Sequence, residues 1–163
     1  MAAFDRALEL GINAFELDVR FAKDGTPVVF HDEALGRTTN GDGLLREYGL
    51  ADLRRVDAGS WFSPKFAQEK IPTLEEVLER YRNKAFLHIE LKVSGNEVDK
   101  VVPLLEGHEA HEWSTVISFE AEVLLQVREG LPRESLGWLV KGVDEEVVAK
   151  ASRLGVQYVC PLA

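Results

Sequence analysis

The sequence predicts an α/β protein in which strands and helices alternate and the strands pair in parallel. Three observations support this. Residues 85–92, 114–119, 135–140 and 156–161 read as short strands, and helical patterns over roughly 96–110, 121–130 and 144–154 separate them. An earlier strand, Phe15–Phe21, alternates Leu17, Val19 and Phe21 with Glu16, Asp18 and Arg20. The chain has 163 residues, 45% of them hydrophobic, which is enough for one domain with a real core.

The chain opens on a helical stretch from Ala2 to Leu10, closed by Gly11. After the Phe15 strand, Asp24-Gly25 signals a tight hairpin into Val28-Val29-Phe30-His31-Asp32. A two-residue loop there sets Lys23 opposite Thr26, Val19 opposite Phe30 and Asp18 opposite His31. Pro27 then falls at a non-hydrogen-bonded pair, where its missing N–H is harmless. This register gathers Glu16, Asp18 and His31 on one face, and Val19, Phe21, Val28 and Phe30 on the other. Two acidic residues on a strand are ordinarily a solvated face, but an imidazole delivered opposite Asp18 turns the reading toward a site.

Leu35–Gly43 is a polar, glycine-rich loop. Residues 44–71 show no sustained period, yet carry Trp61, Phe62 and Phe66 around Ser63-Pro64, so a packed loop or small subdomain is expected. Thr73-Leu74-Glu75-Glu76 is a capping box, opening a helix with the apolar stripe Leu74, Val77, Leu78 and Tyr81. In the strand over 85–92, Leu87, Ile89 and Leu91 share one face and His88, Glu90 and Lys92 the other. Pro103 is expected to kink or break the helix over 96–110. His88 is expected to be a core histidine, His108 and His111 surface residues, and Cys160 a buried thiol.

The formal net charge of −9 argues against a nucleic-acid partner bound through a basic patch. An anionic substrate would need a local cation. The single cysteine excludes an internal disulfide. No apolar run approaches the ~20 residues of a membrane span, and the N-terminal residues lack a signal-peptide pattern, so a cytoplasmic protein is expected.

Seven motifs then occur in order: Phe15-Glu16-Leu17-Asp18-Val19, Lys23-Asp24-Gly25, Val28-Val29-Phe30-His31-Asp32, Arg37-Thr38-Thr39-Asn40-Gly41, Asp57-Ala58-Gly59, Ile71-Pro72-Thr73-Leu74 and Ile89-Glu90-Leu91-Lys92. Together they resemble the glycerophosphodiester phosphodiesterase family, of the phospholipase C-like phosphodiesterase superfamily. The resemblance is dense over residues 3–92 and thinner to the end.

The resemblance implies a (β/α)₈ barrel of the TIM type with a small insertion after strand 2, here residues 33–71. A complete barrel needs roughly 250 residues, so residues 1–163 are expected to form a partial domain with about five of the eight strands. It implies one divalent cation, Ca²⁺ or Mg²⁺, held by Glu16, Asp18 and Glu90, with His31 as one of two proton-transferring histidines. Lys92 would lie beside the phosphate, and Arg37 would contact substrate or anchor the insertion. The implied reaction is metal-dependent hydrolysis of a glycerophosphodiester to sn-glycerol 3-phosphate and an alcohol. The family's first-strand His-Arg-Gly motif, which carries the other histidine, has no counterpart in this sequence. The chain is therefore expected to be catalytically impaired and to self-associate through exposed barrel edges. The alternatives are a catalytically inactive homologue that keeps the metal site and an open α/β binding or regulatory module.

Overall fold

The computed structural model describes residues 1–93 and 95–162. Six strands form one sheet in the order β2-β1-β3-β4-β5-β6. The strands are β1 (Ala14–Phe21), β2 (Pro27–Val29), β3 (Phe86–Leu91), β4 (Ser114–Ser118), β5 (Ser135–Val140) and β6 (Tyr158–Pro161). Five of them, β1 and β3 to β6, pair in parallel, and β2 alone runs antiparallel, against β1. The helices are α1 (Ala2–Glu9), α2 (Leu50–Leu53), α3 (Leu74–Tyr81), α4 (Val98–Gly107), α5 (Ala121–Gly130) and α6 (Glu145–Leu154).

One face of the sheet is the main core. Phe15, Leu17, Val19 and Phe21 of β1 join Leu87, Ile89 and Leu91 of β3 under the apolar stripes of the helices. The α3 stripe is as the sequence predicts, with Leu74, Val77, Leu78 and Tyr81 all fully buried. Its capping box closes as expected: Glu76 N–H donates to Thr73 Oγ1 at 3.2 Å, and Thr73 N–H to Glu76 Oε2 at 2.9 Å. The α4 helix continues through Pro103 without a break. Losing one N–H bond is offset by burial of Val98, Val101 and Leu105 against the core. The other face of the sheet carries Glu16, Asp18, Arg20, His88 and Glu90, together with Phe86 and Tyr158, which are 38% and 53% exposed.

The hairpin register differs from the sequence reading by one residue. Val19 pairs with Val29, Arg20 with Val28 and Phe21 with Pro27. The loop has three residues, Lys23-Asp24-Gly25: Ala22 N–H donates to Thr26 O at 3.0 Å, and Gly25 N–H to Ala22 O at 2.9 Å. Gly25 takes φ +82°, the left-handed residue that a three-residue hairpin loop requires. Asp24 braces the turn, accepting from Thr26 N–H at 3.1 Å and Leu50 N–H at 2.7 Å. A slip of one residue exchanges the faces of the second strand. Val28 and Phe30 therefore share the Asp18 and Arg20 side, where they enter a second core with Ala22, Leu35, Leu45, Leu53 and Ile71.

That second core holds residues 33–71 together. The aromatic residues singled out in the sequence do not form it: Trp61 and Phe62 are 53% and 70% exposed. They ride on a loop organised by Asp57, whose carboxylate accepts from the N–H groups of Gly59, Ser60 and Gln68. Cys160 is only half-buried, and its surroundings push its thiol up from the usual range.

Glu134, just before β5, is 1% exposed and accepts from Ser114 Oγ at 3.1 Å, while its other carboxyl oxygen is buried without a partner. Burial pushes this carboxyl up to about 7. Below pH 4.5 the group is protonated in both states. Between there and about 7 the folded chain holds the extra proton, so stability falls as pH rises. Chemical denaturation from pH 5 to 8 should show this fall, and Glu134→Gln should flatten it by at most about 3 kcal/mol. An equal slope in the variant would show that Glu134 does not set the dependence.

Candidate active site

Strand pairing places the acidic residues. Parallel register sets Asp18 beside Glu90, and Glu16 beside His88 one layer lower. Paired residues of neighbouring strands share a face, so three carboxyl groups converge. One oxygen from each of Glu16, Asp18 and Glu90 lies within 4.8 Å of the others. Asp18 and Glu90 are only 9% and 8% exposed, and Glu16 is the most exposed of the three.

The electrostatic consequence is marked. Desolvation, then the charges of Asp18 and Glu90, push the Glu16 carboxyl up to about 7. Glu90 is raised mainly by burial, and Lys92 draws it back. Lys92 extends from the end of β3, with its Nζ 2.7 Å from Asp18 Oδ1 and 3.8 Å from Glu90 Oε1. The cluster thus holds one ammonium against three carboxyls and has room for more positive charge. A set of hard oxygen donors at this spacing fits a divalent cation such as Ca²⁺ or Mg²⁺ better than a soft metal.

His31 reaches this region by a different route from the one its sequence suggests. It is not the cross-strand partner of Asp18, which lies level with Phe30: Phe30 N–H donates to Asp18 O at 2.9 Å. His31 follows the end of β2, and Arg20 Nε donates to its carbonyl at 2.8 Å. A charge on its ring lowers the carboxyls of both Glu16 and Glu90, so it stands within electrostatic reach of the cluster. Its Nδ1 lies 2.6 Å from Asp32 Oδ1. Arg37 does not join the carboxyl cluster. Its guanidinium grips Asp32 with two bonds, of 2.5 and 2.8 Å. The Arg37 and His31 bonds hold the Asp32 carboxyl well below the usual range.

A cavity of about 700 Å³ opens beside Glu90 and Lys92, lined also by Arg20, Glu33, Arg46 and Phe119. The sequence pattern does not single out Arg20 or Arg46, which line this cavity, or Asp32, which contacts His31. Arg20 was within its reach, since it shares the parity of Glu16 and Asp18. Arg46 sits in a 3₁₀ turn, Leu45–Glu47, of the aperiodic segment, where no pattern marks it. His88 is half-buried, with its ring 5.2 Å from that of Phe86, and His108 and His111 are half-exposed.

Comparison with known proteins matches residues 1–158 to the glycerophosphoryl diester phosphodiesterase family. The chain belongs to this family. It is 41% identical over 145 residues to a glycerophosphodiester phosphodiesterase of Caldanaerobacter subterraneus, covering 85% of this chain and 59% of that protein. A Bacillus altitudinis glycerophosphodiester phosphodiesterase is 38% identical over 150 residues, covering 88% and 61%. An Oleispira antarctica phosphodiesterase, solved in complex with the product sn-glycerol-3-phosphate, superposes at a TM-score of 0.89 with 32% identity, covering 97% of this chain and 66% of that one. The chain thus spans about three fifths of the length of these curated relatives. Its sheet is the α/β arrangement of the family's TIM-type barrel, with part of the barrel represented.

The three carboxyls give a direct test. Calorimetric titration with Ca²⁺ or Mg²⁺ should show one site per chain, and Glu16→Ala should lose it. Unchanged affinity in Glu16→Ala would remove Glu16 from the ligand set.

Proposed function

We propose that this chain carries the metal-binding side of a glycerophosphodiester phosphodiesterase site and acts on glycerophosphodiesters, releasing sn-glycerol 3-phosphate and an alcohol. The observation that carries the reading is the convergence of Glu16, Asp18, Glu90 and Lys92 beside the cavity. Family membership and a relative solved with sn-glycerol-3-phosphate support it.

Hydrolysis of a phosphodiester requires neutralised charge on the non-bridging oxygens, an activated nucleophile, and a proton for the leaving alkoxide. Glu16, Asp18 and Glu90 are the residues that would hold a divalent cation, Ca²⁺ or Mg²⁺, which supplies charge neutralisation when bound. Lys92 adds a positive charge next to that position. Arg20 and Arg46 give the cavity wall further cations suited to an anionic substrate. His31 exchanges one proton with the substrate or nucleophile. With His31 the one histidine given a proton-transfer role, turnover by the 163-residue chain taken by itself is expected to be slow. The same cluster and cavity would also serve a second reading, a binding module that retains the cation and product sites.

The test is release of sn-glycerol 3-phosphate from a glycerophosphodiester by the 163-residue chain, with and without chelator. Slow, chelator-sensitive release is expected, and His31→Ala should lower it ~10²–10⁴-fold with cation affinity nearly kept. A His31→Ala chain within a few-fold of the parent would remove His31 from the mechanism. Cation and product binding without any turnover would favour the second reading.

Strand β6 is an edge of the sheet among the described residues, and an edge left with unpaired backbone groups promotes association. Strand β2, by contrast, is covered by Pro72 and Thr73, with Val29 N–H donating to Pro72 O at 2.8 Å. Light scattering is expected to show a mass that rises with concentration. A constant monomer mass across the range would refute self-association.

A further inference from the structure

Asp32 and Arg37 lie outside the carboxyl cluster, yet they make some of the shortest polar contacts near it. Asp32 Oδ1 is 2.6 Å from His31 Nδ1. Arg37 Nε donates to Asp32 Oδ2 at 2.5 Å and its terminal nitrogen to Oδ1 at 2.8 Å, the paired geometry that fixes a carboxylate in place and plane. We propose that Arg37 and Asp32 form a positioning unit that fixes His31 in the ring tautomer whose Nε2 is free to exchange a proton.

The chemistry follows from what each group can donate. An ionised carboxylate only accepts, so its bond to Nδ1 requires Nδ1 to carry the hydrogen. In the neutral ring the remaining nitrogen, Nε2, then presents its lone pair away from Asp32. The Arg37 bonds are the largest influence keeping Asp32 ionised. Without them, Asp32 could rotate or turn toward solvent, since its neighbours are themselves exposed: the side chains of His31 and Arg37 are 64% and 62% accessible, against 21% for Asp32.

The turn that carries Arg37 is tied to the second core. Arg37 ends this 3₁₀ turn, Leu35–Arg37, whose Leu35 is fully buried there. Thr39 Oγ1 donates to Leu35 O at 2.8 Å, and Gly41 N–H donates to Thr39 Oγ1 at 2.9 Å. Leu35 N–H donates to Gly43 O at 3.0 Å. On the other side Arg20, from β1, holds the His31 carbonyl. Two arginines from separate elements thus fix the backbone and the ring of His31. Arg37 acts through Asp32, without needing to touch substrate.

The catalytic meaning of this unit rests on His31 being the proton carrier, but its test does not need turnover. Nitrogen-15 correlation spectra of the histidine rings, recorded in the 163-residue chain where the rings are neutral, report which nitrogen bears hydrogen. In the parent chain His31 should be mainly the Nδ1–H form. Asp32→Ala should invert it to mainly Nε2–H. Arg37→Gln should shift it part of the way, and Arg37→Lys should recover some of the loss. Unchanged His88 signals would verify the fold, and should Asp32→Ala not fold, Arg37→Gln carries the same test. A His31 tautomer indifferent to Asp32→Ala or to Arg37→Gln would overturn the proposal. A chain with the Nδ1–H form intact and no turnover would count against the proposed activity alone.

Discussion

Three carboxyl groups within 4.8 Å of one another on neighbouring strands repel, and most of this site can be understood from how that repulsion is relieved. The register of β1 against β3 enforces the approach, because Asp18 and Glu90 are level partners whose side chains have no other face to take. The same strands bury Leu17, Val19, Ile89 and Leu91 on their opposite side. Turning the acids away would turn the core out into water, at roughly 1.5–3 kcal/mol for each large apolar side chain. The hydrophobic face therefore holds the acidic face together. Lys92 relieves part of the repulsion, and the rise of Glu16 and Glu90 takes up more of it by favouring their protonated forms. A bound divalent cation would relieve the remainder, which ties the proposed cation site to the same register that packs the core.

The segment between the hairpin and α3 serves the same site from above. It has its own small core, built around Val28, Phe30, Leu35 and Leu45. Through it, Arg37 reaches Asp32 and Arg46 reaches the cavity wall. The exposed Trp61 and Phe62 show that a run of aromatic residues need not be a core: one carboxylate, Asp57, shapes their loop with backbone hydrogen bonds. The buried apolar work falls to leucines that have no periodic signature.

Much of this was open to inspection in the sequence. Alternation along Phe15–Phe21 and residues 85–92 placed Glu16, Asp18, Glu90 and Lys92 on one side of their strands, and the structure brings those four together. The capping box at Thr73 marked a helix start that the backbone adopts. The hairpin was misread because Asp-Gly fits both a two-residue loop and the last two residues of a three-residue loop. In the folded chain Asp24 braces the three-residue loop by accepting from Leu50 N–H, a contact 26 residues away. Pro103 likewise reads as a breaker only until the burial of its helix is known.

The sequence by itself determined the α/β order, the family and the acidic, metal-suited face, because each rests on local periodicity or on motifs that a chain carries without folding. Folding settled which groups stand next to which: the side of the hairpin that His31 leaves from, the pairing of Arg37 with Asp32, and Arg46 at the cavity. These depend on strand register and on packing between segments far apart in the chain. A one-residue shift costs little in local propensity, yet it exchanges every side chain between the two faces.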